Sequence, residues 1–239
     1  DINQRMTQNN DNKPKLIVRN AQLSDAYGIH MLCVKVYGKV VAISLEMILG
    51  HINNFPEGQF IAIYNDEIVG YCSTFRIAGE IALKPHTWNE ITGGGFASRH
   101  DPEGDYLYGL EVCVDPEFRG WRIGQRLYNA RKQLCRDLRL RGIVFGGRLP
   151  GLRKRIRKVG SVENYIDQIK KRTIRDNVPM FQLRNNFEII GVLRDYLPDD
   201  FDSMGYAAHM LWHNPDLQDG DFQSYHPKSQ FHRKLEQYP

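Results

Sequence analysis

The sequence predicts a mixed α/β fold: a central, mostly antiparallel sheet of about six to seven strands with helices on both faces. Three observations carry that reading. Short apolar runs rich in β-branched and aromatic residues recur along the chain, bounded by Gly, Pro, Asn and Asp. Segments with helical periodicity and capping residues stand between some of them. The order β-α-α-β-β-β-α-β-α-β-β is not a simple strand–helix alternation, so the sheet is mixed rather than all parallel.

The elements follow in order. Residues 1–15, DINQRMTQNNDNKPK, are polar and aperiodic and read as a flexible lead-in. LIVRN (16–20) is a strand. Ser24 or Asp25 then caps a helix through GIHMLCVKVYG. SLEMILGHINNFPEG (44–58) is a second helix, stopped by Pro56 and Gly58. QFIAIYNDEIVGYCSTFRI (59–77) is a hairpin whose two apolar runs flank Asn65-Asp66-Glu67. Residues 79–105 read as a long glycine-rich loop. YLYGLEVCV (106–114) is apolar enough for a central strand. A glycine-punctuated turn leads into a helix over 123–140, and GIVFGGRL (142–149) is the next strand. A basic insert follows over 149–178, with a helix at 161–172 capped by Ser161. VPMFQLRNN is a short helix starting near Pro179. FEIIGVLRDY (187–196) and YAAHMLWH (206–213) complete the sheet. Residues 16–213 thus form one domain, and 214–239 read as a polar tail or linker.

Composition narrows the function. The chain has 239 residues, 41% of them hydrophobic, enough for one sizeable core. Its net charge of +4 suits an anionic ligand but falls short of a dedicated nucleic-acid binder. Cys33, Cys72, Cys113 and Cys135 lack metal-type spacing and read as buried free thiols. His209 and His213 stand four apart in or beside a strand with no cysteine near, so no metal cofactor is expected. No apolar run is long enough to span a bilayer and no signal peptide stands out, which predicts a cytoplasmic protein without a membrane partner.

The chemistry concentrates in VDPEFRGWRIGQRL, residues 114–127. A strand that ends in a glycine-bearing turn and opens a helix is an anion site. The first N–H groups of the helix lack internal partners, and the helix dipole favours negative charge there. Gly120 and Gly124 let a phosphate approach the backbone, and Arg119, Arg122 and Arg126 add positive charge. There is no Gly-Lys-Ser/Thr for a P-loop and no Gly-x-Gly-x-x-Gly for a dinucleotide fold.

This stretch resembles the acetyl-CoA-binding motif of the GNAT superfamily of N-acetyltransferases: Arg or Gln, two residues, Gly, one residue, then Gly or Ala. Arg119 and Gly124 match its ends, and Arg122 stands where the middle glycine is usual. QLRNNFEIIGVL resembles the family's short helix, Gly-Phe and strand, with Asn186 in place of the glycine. A wider resemblance runs over about residues 16–215, through FPEGQ, PHTWNEIT, HDPEGD, LYGLEVCVDPEFRG, GGRLPG and FQLRNNFEIIGVLRDYLPDD. These blocks are similar to the acetyltransferase half of bacterial two-domain proteins in which a carbon–nitrogen hydrolase domain follows.

The resemblance implies acetyl-CoA as co-substrate, an unidentified amine acceptor, and a carbon–nitrogen hydrolase partner domain C-terminal to this chain. It puts the thioester and pantetheine arm against the backbone of Val112, Cys113 and Val114. It puts the pyrophosphate on Arg119, Gly120, Trp121, Arg122, Ile123, Gly124 and Gln125. Glu111 is the only acid on the central strand and the first candidate base; plain alternation sets it opposite Tyr108, Leu110 and Val112, and a bulge is needed to re-aim it. Tyr108 occupies a strand position where some relatives carry their base. The usual acid, a tyrosine, is replaced by Gln182, with Tyr206 as a substitute. His86, Trp88, His100 and Asp101 are candidate acceptor-pocket residues. The basic insert reads as a lid or docking surface over the acceptor cleft, against a mobile loop in solvent. Two other readings stay open: a non-catalytic acyl-CoA-binding regulator of a carbon–nitrogen hydrolase, and an RNA-binding module using 148–175. No aromatic interleaving supports the latter, so nucleic acid is not the expected partner.

Overall fold

The computed structural model of the chain describes residues 14–217; most of the predicted lead-in and tail lie outside them. Seven strands form one sheet: β1 (Ile17–Asn20), β2 (Phe60–Tyr64), β3 (Glu67–Ile77), β4 (Tyr106–Val114), β5 (Gly142–Gly147), β6 (Glu188–Leu193) and β7 (Ala207–His213), in the order β1-β2-β3-β4-β5-β7-β6. Every neighbouring pair is antiparallel except β4–β5. The β2–β3 hairpin turns on Asn65 (φ 49°) and Asp66 (φ 60°), two residues that tolerate the left-handed region, which matches the twist of the strands.

Two helical layers cover the sheet. On one face, α1 (Ala26–Tyr37) and α2 (Leu45–Asn54) pack Ile29, Leu32, Cys33, Ile48 and Ile52 against Ile61, Tyr71 and Cys113. Ser44 caps α2, its side chain accepting from Met47 N–H. The long predicted loop that follows β3 instead contains two short helices, α3 (Gly79–Ala82) and α4 (Trp88–Thr92). A capping box between Thr87 and Glu90 starts α4, and that four-residue signature was readable in the sequence. On the opposite face, α5 (Ile123–Asp137) buries Ile123 and Leu127 against Phe60, Ala62, Val69 and Cys72. All four cysteines are free and buried.

The insert is folded rather than a loop in solvent. It forms α6 (Leu152–Val159) and α7 (Val162–Lys170), the first unforeseen in the sequence. Leu152, Ile156 and Val159 recur on one face of α6, and together with Val162, Tyr165, Ile166 and Ile169 they join the main core. Arg153, Lys154, Arg157 and Lys158 are exposed. The insert is tied to the β6–β7 loop: Arg153 N–H donates to Asp202 O at 3.1 Å, Leu149 N–H to Ser203 Oγ at 2.9 Å, and Arg194 pairs with Glu163. The chain then enters α8 (Asn177–Arg184), which ends beside Asn186 at φ 63°, the left-handed end that asparagine was expected to supply.

Candidate active site

β4 and β5 pair only through Tyr106↔Gly142, Leu107↔Ile143 and Tyr108↔Val144. Beyond that point β4 continues with β3 and β5 with β7, so the two strands part and leave a notch. At its start the β3–β4 register slips: Thr74 faces Gly109, but Ser73 faces Glu111. Leu110 is the extra residue of a β-bulge. The expected alternation is thereby corrected. Glu111 shares a face with Tyr108 and Cys113, towards α1, while Val112 turns to the α5 side.

Two side chains hold the bulge. Trp88 Nε1–H donates to Leu110 O at 3.1 Å. From the other face Arg131, only 2% exposed, donates Nε–H to Thr74 Oγ1 (2.9 Å) and Nη2–H to Ser73 O (3.0 Å) and Glu111 O (3.2 Å). Gly109 leaves room for it, since a Cβ there would lie 2.6 Å from Arg131 Nη1.

The Glu111 side chain is half-buried, and Oε1 accepts from the Tyr37 hydroxyl at 2.9 Å. Burial pushes its carboxyl up to about 7, against the opposing pull of Tyr37, the Val112 N–H, Arg148 and Arg131. That is the range of a group that exchanges protons at neutral pH.

Tyr108 has a different role. Its hydroxyl lies 2.7 Å from His86 Nε2 and 2.8 Å from the Tyr196 hydroxyl, and burial lifts its pKa well above the ordinary range. His86 Nδ1 lies 2.8 Å from Lys84 O and so carries the proton donated to that carbonyl. Burial holds the ring down to about 4, hence neutral, with Nε2 accepting from Tyr108. Tyr108 thus sits in the core, hydrogen-bonded to His86 and Tyr196. His209 Nε2 bonds Ala82 O, and His213 pairs with Glu188, so the two histidines serve different sites. Among the described residues no cluster of His, Cys, Asp or Glu has metal-site geometry. His100 accepts from Arg76 N–H and stacks on Phe55. Asp101 accepts from the Glu103 N–H in a local turn. Tyr206, just before β7, packs under Arg194. Of the candidate pocket residues only His86 and Trp88 touch the β4 machinery. Tyr37 and Arg131, which hold Glu111, carry no motif signal in the sequence.

Gln182, on α8, is 7% exposed, and its Oε1 has no hydrogen-bond partner among the described residues. It faces Gly147 at the free end of β5, where a Cβ would meet Oε1 at 2.5 Å. An orphaned buried acceptor costs about 1–3 kcal/mol.

The turn after β4 opens an adjoining cleft of about 660 Å³, lined by Val114, Phe118, Arg119, Gly120, Arg122, Ile123, Gly124, Gln125, Phe181 and Arg184. A Cβ at Gly120 would meet nothing within 4 Å, so Gly120 fronts open space, and one at Gly124 would make only an ordinary contact with the Phe181 ring at 3.6 Å. The Ncap residue of α5 makes no side-chain cap hydrogen bond. It is Arg122, held left-handed at φ 59° in the place the motif usually gives to glycine. That conformation costs a side-chain-bearing residue about 1–2 kcal/mol. Glycine gives back about 0.5–1 kcal/mol of that in chain entropy, leaving a net gain of about 1 kcal/mol, so Arg122→Gly should raise the thermal midpoint by about 2–4 °C; a clearly lower midpoint in calorimetry would show that the arginine carries no such strain. Gln125 Nε2–H donates to Asn185 Oδ1 at 2.6 Å and ties α5 to α8. The Cys113 thiol is buried beneath α1 and α2, so only its backbone can border the notch.

Comparison with known proteins joins these features to a family. Residues 43–151, from α2 through the turn and α5 to the end of β5, match the profile of the acetyltransferase (GNAT) family. A protein of Bacillus subtilis (strain 168), the uncharacterized N-acetyltransferase YkwB, is 32% identical over 171 residues, 72% of this chain and 75% of that protein. The probable hydrolase YhcX of the same organism is 39% identical over 202 residues. Those residues are 84% of this chain, which spans only 39% of that relative's length. The structure of the GphF GNAT-like decarboxylase in complex with isobutyryl-CoA superposes with a TM-score of 0.72 at 28% identity, over 83% of this chain and 99% of that one. With the parted β4–β5 pair, the glycine-bearing turn that opens α5 and a relative aligned along three quarters of its length, the chain belongs to the GNAT family of acetyltransferases.

Proposed function

We propose that the chain is an acyl-CoA-dependent N-acyltransferase that transfers an acetyl group from acetyl-CoA to a primary amine. The observation that carries the reading is Glu111: a half-buried carboxyl, turned by the bulge to the α1 side of β4 where β4 and β5 part, with burial pushing its pKa up to about 7. The open cleft, the two glycines that line it and the orphaned Gln182 Oε1 fit the coenzyme. The N–H groups at the start of α5 and the Arg119, Arg122 and Arg184 side chains would hold its pyrophosphate. The β4 edge from Val112 to Val114 would carry the pantetheine arm, and Gln182 Oε1 suits an amide N–H of that arm. The thioester supplies an activated acyl carbon.

The chain's residues then act on the amine. Glu111 takes a proton from the ammonium or from the attacking nitrogen, and Tyr37 fixes the carboxylate while it does so. Gln182 has no proton to give, so the coenzyme sulfur departs as thiolate, which its low basicity allows. Backbone N–H groups on the free β4 edge face the developing oxyanion, the kind of preorganised donor that contributes most in such sites.

The test is turnover of acetyl-CoA against polyamines, aminoglycosides and peptides, with isobutyryl-CoA beside it because a solved relative holds that acyl group. An accepted amine should show kcat/KM falling as pH drops through about 7, as Glu111 becomes protonated and can no longer accept. A profile flat from pH 6 to 8 would remove the carboxyl from the rate-limiting proton transfer. A second reading draws on the hydrolase-named relative: the domain binds acyl-CoA to regulate a carbon–nitrogen hydrolase unit. Tight acyl-CoA binding with no amine acylated would favour it.

A further inference from the structure

The coenzyme turn carries an aromatic cluster for which catalysis supplies no use. Tyr64, at the end of β2, Phe118 and Trp121 pack edge-to-face on one another. Their ring centroids are 5.6 Å apart for Tyr64–Phe118, 4.8 Å for Tyr64–Trp121 and 5.0 Å for Phe118–Trp121. Trp121 nonetheless remains 45% exposed. It lies between two left-handed residues, Gly120 at φ 86° and Arg122 at φ 59°, so the backbone on either side is fixed in a conformation that side chains rarely adopt. Both neighbours line the phosphate cleft, as does Phe118. The indole is not itself a lining residue of the cleft; it is a braced aromatic surface beside it, left facing water.

A rigid aromatic surface beside a cationic cleft fits a ligand with a planar ring joined to a phosphate. An edge-to-face brace fixes a ring in place without using up all of its apolar surface. We infer that Trp121 is the platform on which the adenine base of the coenzyme stacks, with Tyr64 and Phe118 as its supports. The inference rests on the reading that acyl-CoA binds at residues 119–125. Arg119 and Arg122 flank the indole in sequence and supply charge for the phosphates next to the base. Stacking of a base on an aromatic side chain is worth about 1–3 kcal/mol by alanine substitution, or roughly 5–150-fold in affinity.

The experiment is isothermal titration of the wild-type chain, Trp121→Ala and Trp121→Phe with CoA, 3′-dephospho-CoA and 4′-phosphopantetheine. In the wild type, CoA and dephospho-CoA should bind at least about 10-fold more tightly than phosphopantetheine. Trp121→Ala should bring both adenine-bearing ligands down to near that level and leave phosphopantetheine unchanged, while Trp121→Phe restores most of the loss. Equal weakening of all three ligands would make Trp121 a brace of the turn and overturn the inference. So would a loss confined to CoA, which assigns the effect to the 3′-phosphate. Failure of wild-type protein to bind any of the three would instead refute the coenzyme reading itself, and this inference with it. Melting curves of both variants keep a folding defect apart from a binding one.

Discussion

Gly124→Glu will abolish coenzyme binding without harming the fold. The new carboxylate would stand in the first turn of α5, among the N–H groups proposed to hold the pyrophosphate. Its charge would repel the phosphates and its side chain would occupy their place. The substitution is otherwise benign. A Cβ at residue 124 makes only an ordinary contact with Phe181, and no left-handed φ is required there. An acid in the first turn of a helix is favourable by about 0.3–1 kcal/mol, and replacing glycine in a helix adds a similar amount. The variant should therefore melt no lower than wild type, yet lose at least about 100-fold in CoA affinity, close to 2.7 kcal/mol. A calorimetric titration with unchanged affinity would place the phosphates elsewhere.

Glu111→Gln should lower turnover about 10²- to 10⁴-fold with CoA affinity nearly intact, because the amide keeps the size and loses the proton acceptor. The acid limb near pH 7 should vanish with it. A stability effect of opposite sign should accompany this loss. Burial raises the Glu111 pKa from 4.5 to about 7, so the folded state prefers the protonated form. The carboxyl therefore weighs increasingly against folding as pH rises through that interval, and the weight is full above 7. Glutamine is neutral throughout, so the variant should melt higher than wild type at pH 8 and by little or nothing at pH 4. Wild-type turnover in the variant, with any accepted amine, would take Glu111 out of the mechanism.

The parts of this site legible in the sequence are those made by local chemistry. The hairpin, β4, the turn and α5 follow from short-range pattern, and so does the left-handed Asn186. The aim of Glu111 was not legible, because the bulge that sets it is held by Trp88 and Arg131, which reach it from separate helices on opposite faces. Strand periodicity alone gave the wrong face. α6 was hidden for another reason: five cations in RKRIRK masked the spacing of Leu152, Ile156 and Val159. The part played by Tyr37 has no sequence signal, since a tyrosine at the end of an amphipathic helix is ordinary. Gln182 was found through the family resemblance, but its unpaired oxygen is visible only once Gly147 is seen beside it.

The short β4–β5 pairing also has a mechanical side. The sheet is two blades, β1–β4 and β5–β7, stitched along their backbones by three residue pairs in the only parallel ladder among the described residues. A molecule lying in the notch touches both blades and acts as a removable strut between them. Part of its binding free energy is then the free energy of keeping the blades at a fixed angle. By mass action, a ligand present at 100 times its Kd adds about 2.7 kcal/mol to the stability of the state that holds it. If acyl-CoA lies in the notch as proposed, its ambient supply would add to the side-chain core in holding the two blades together.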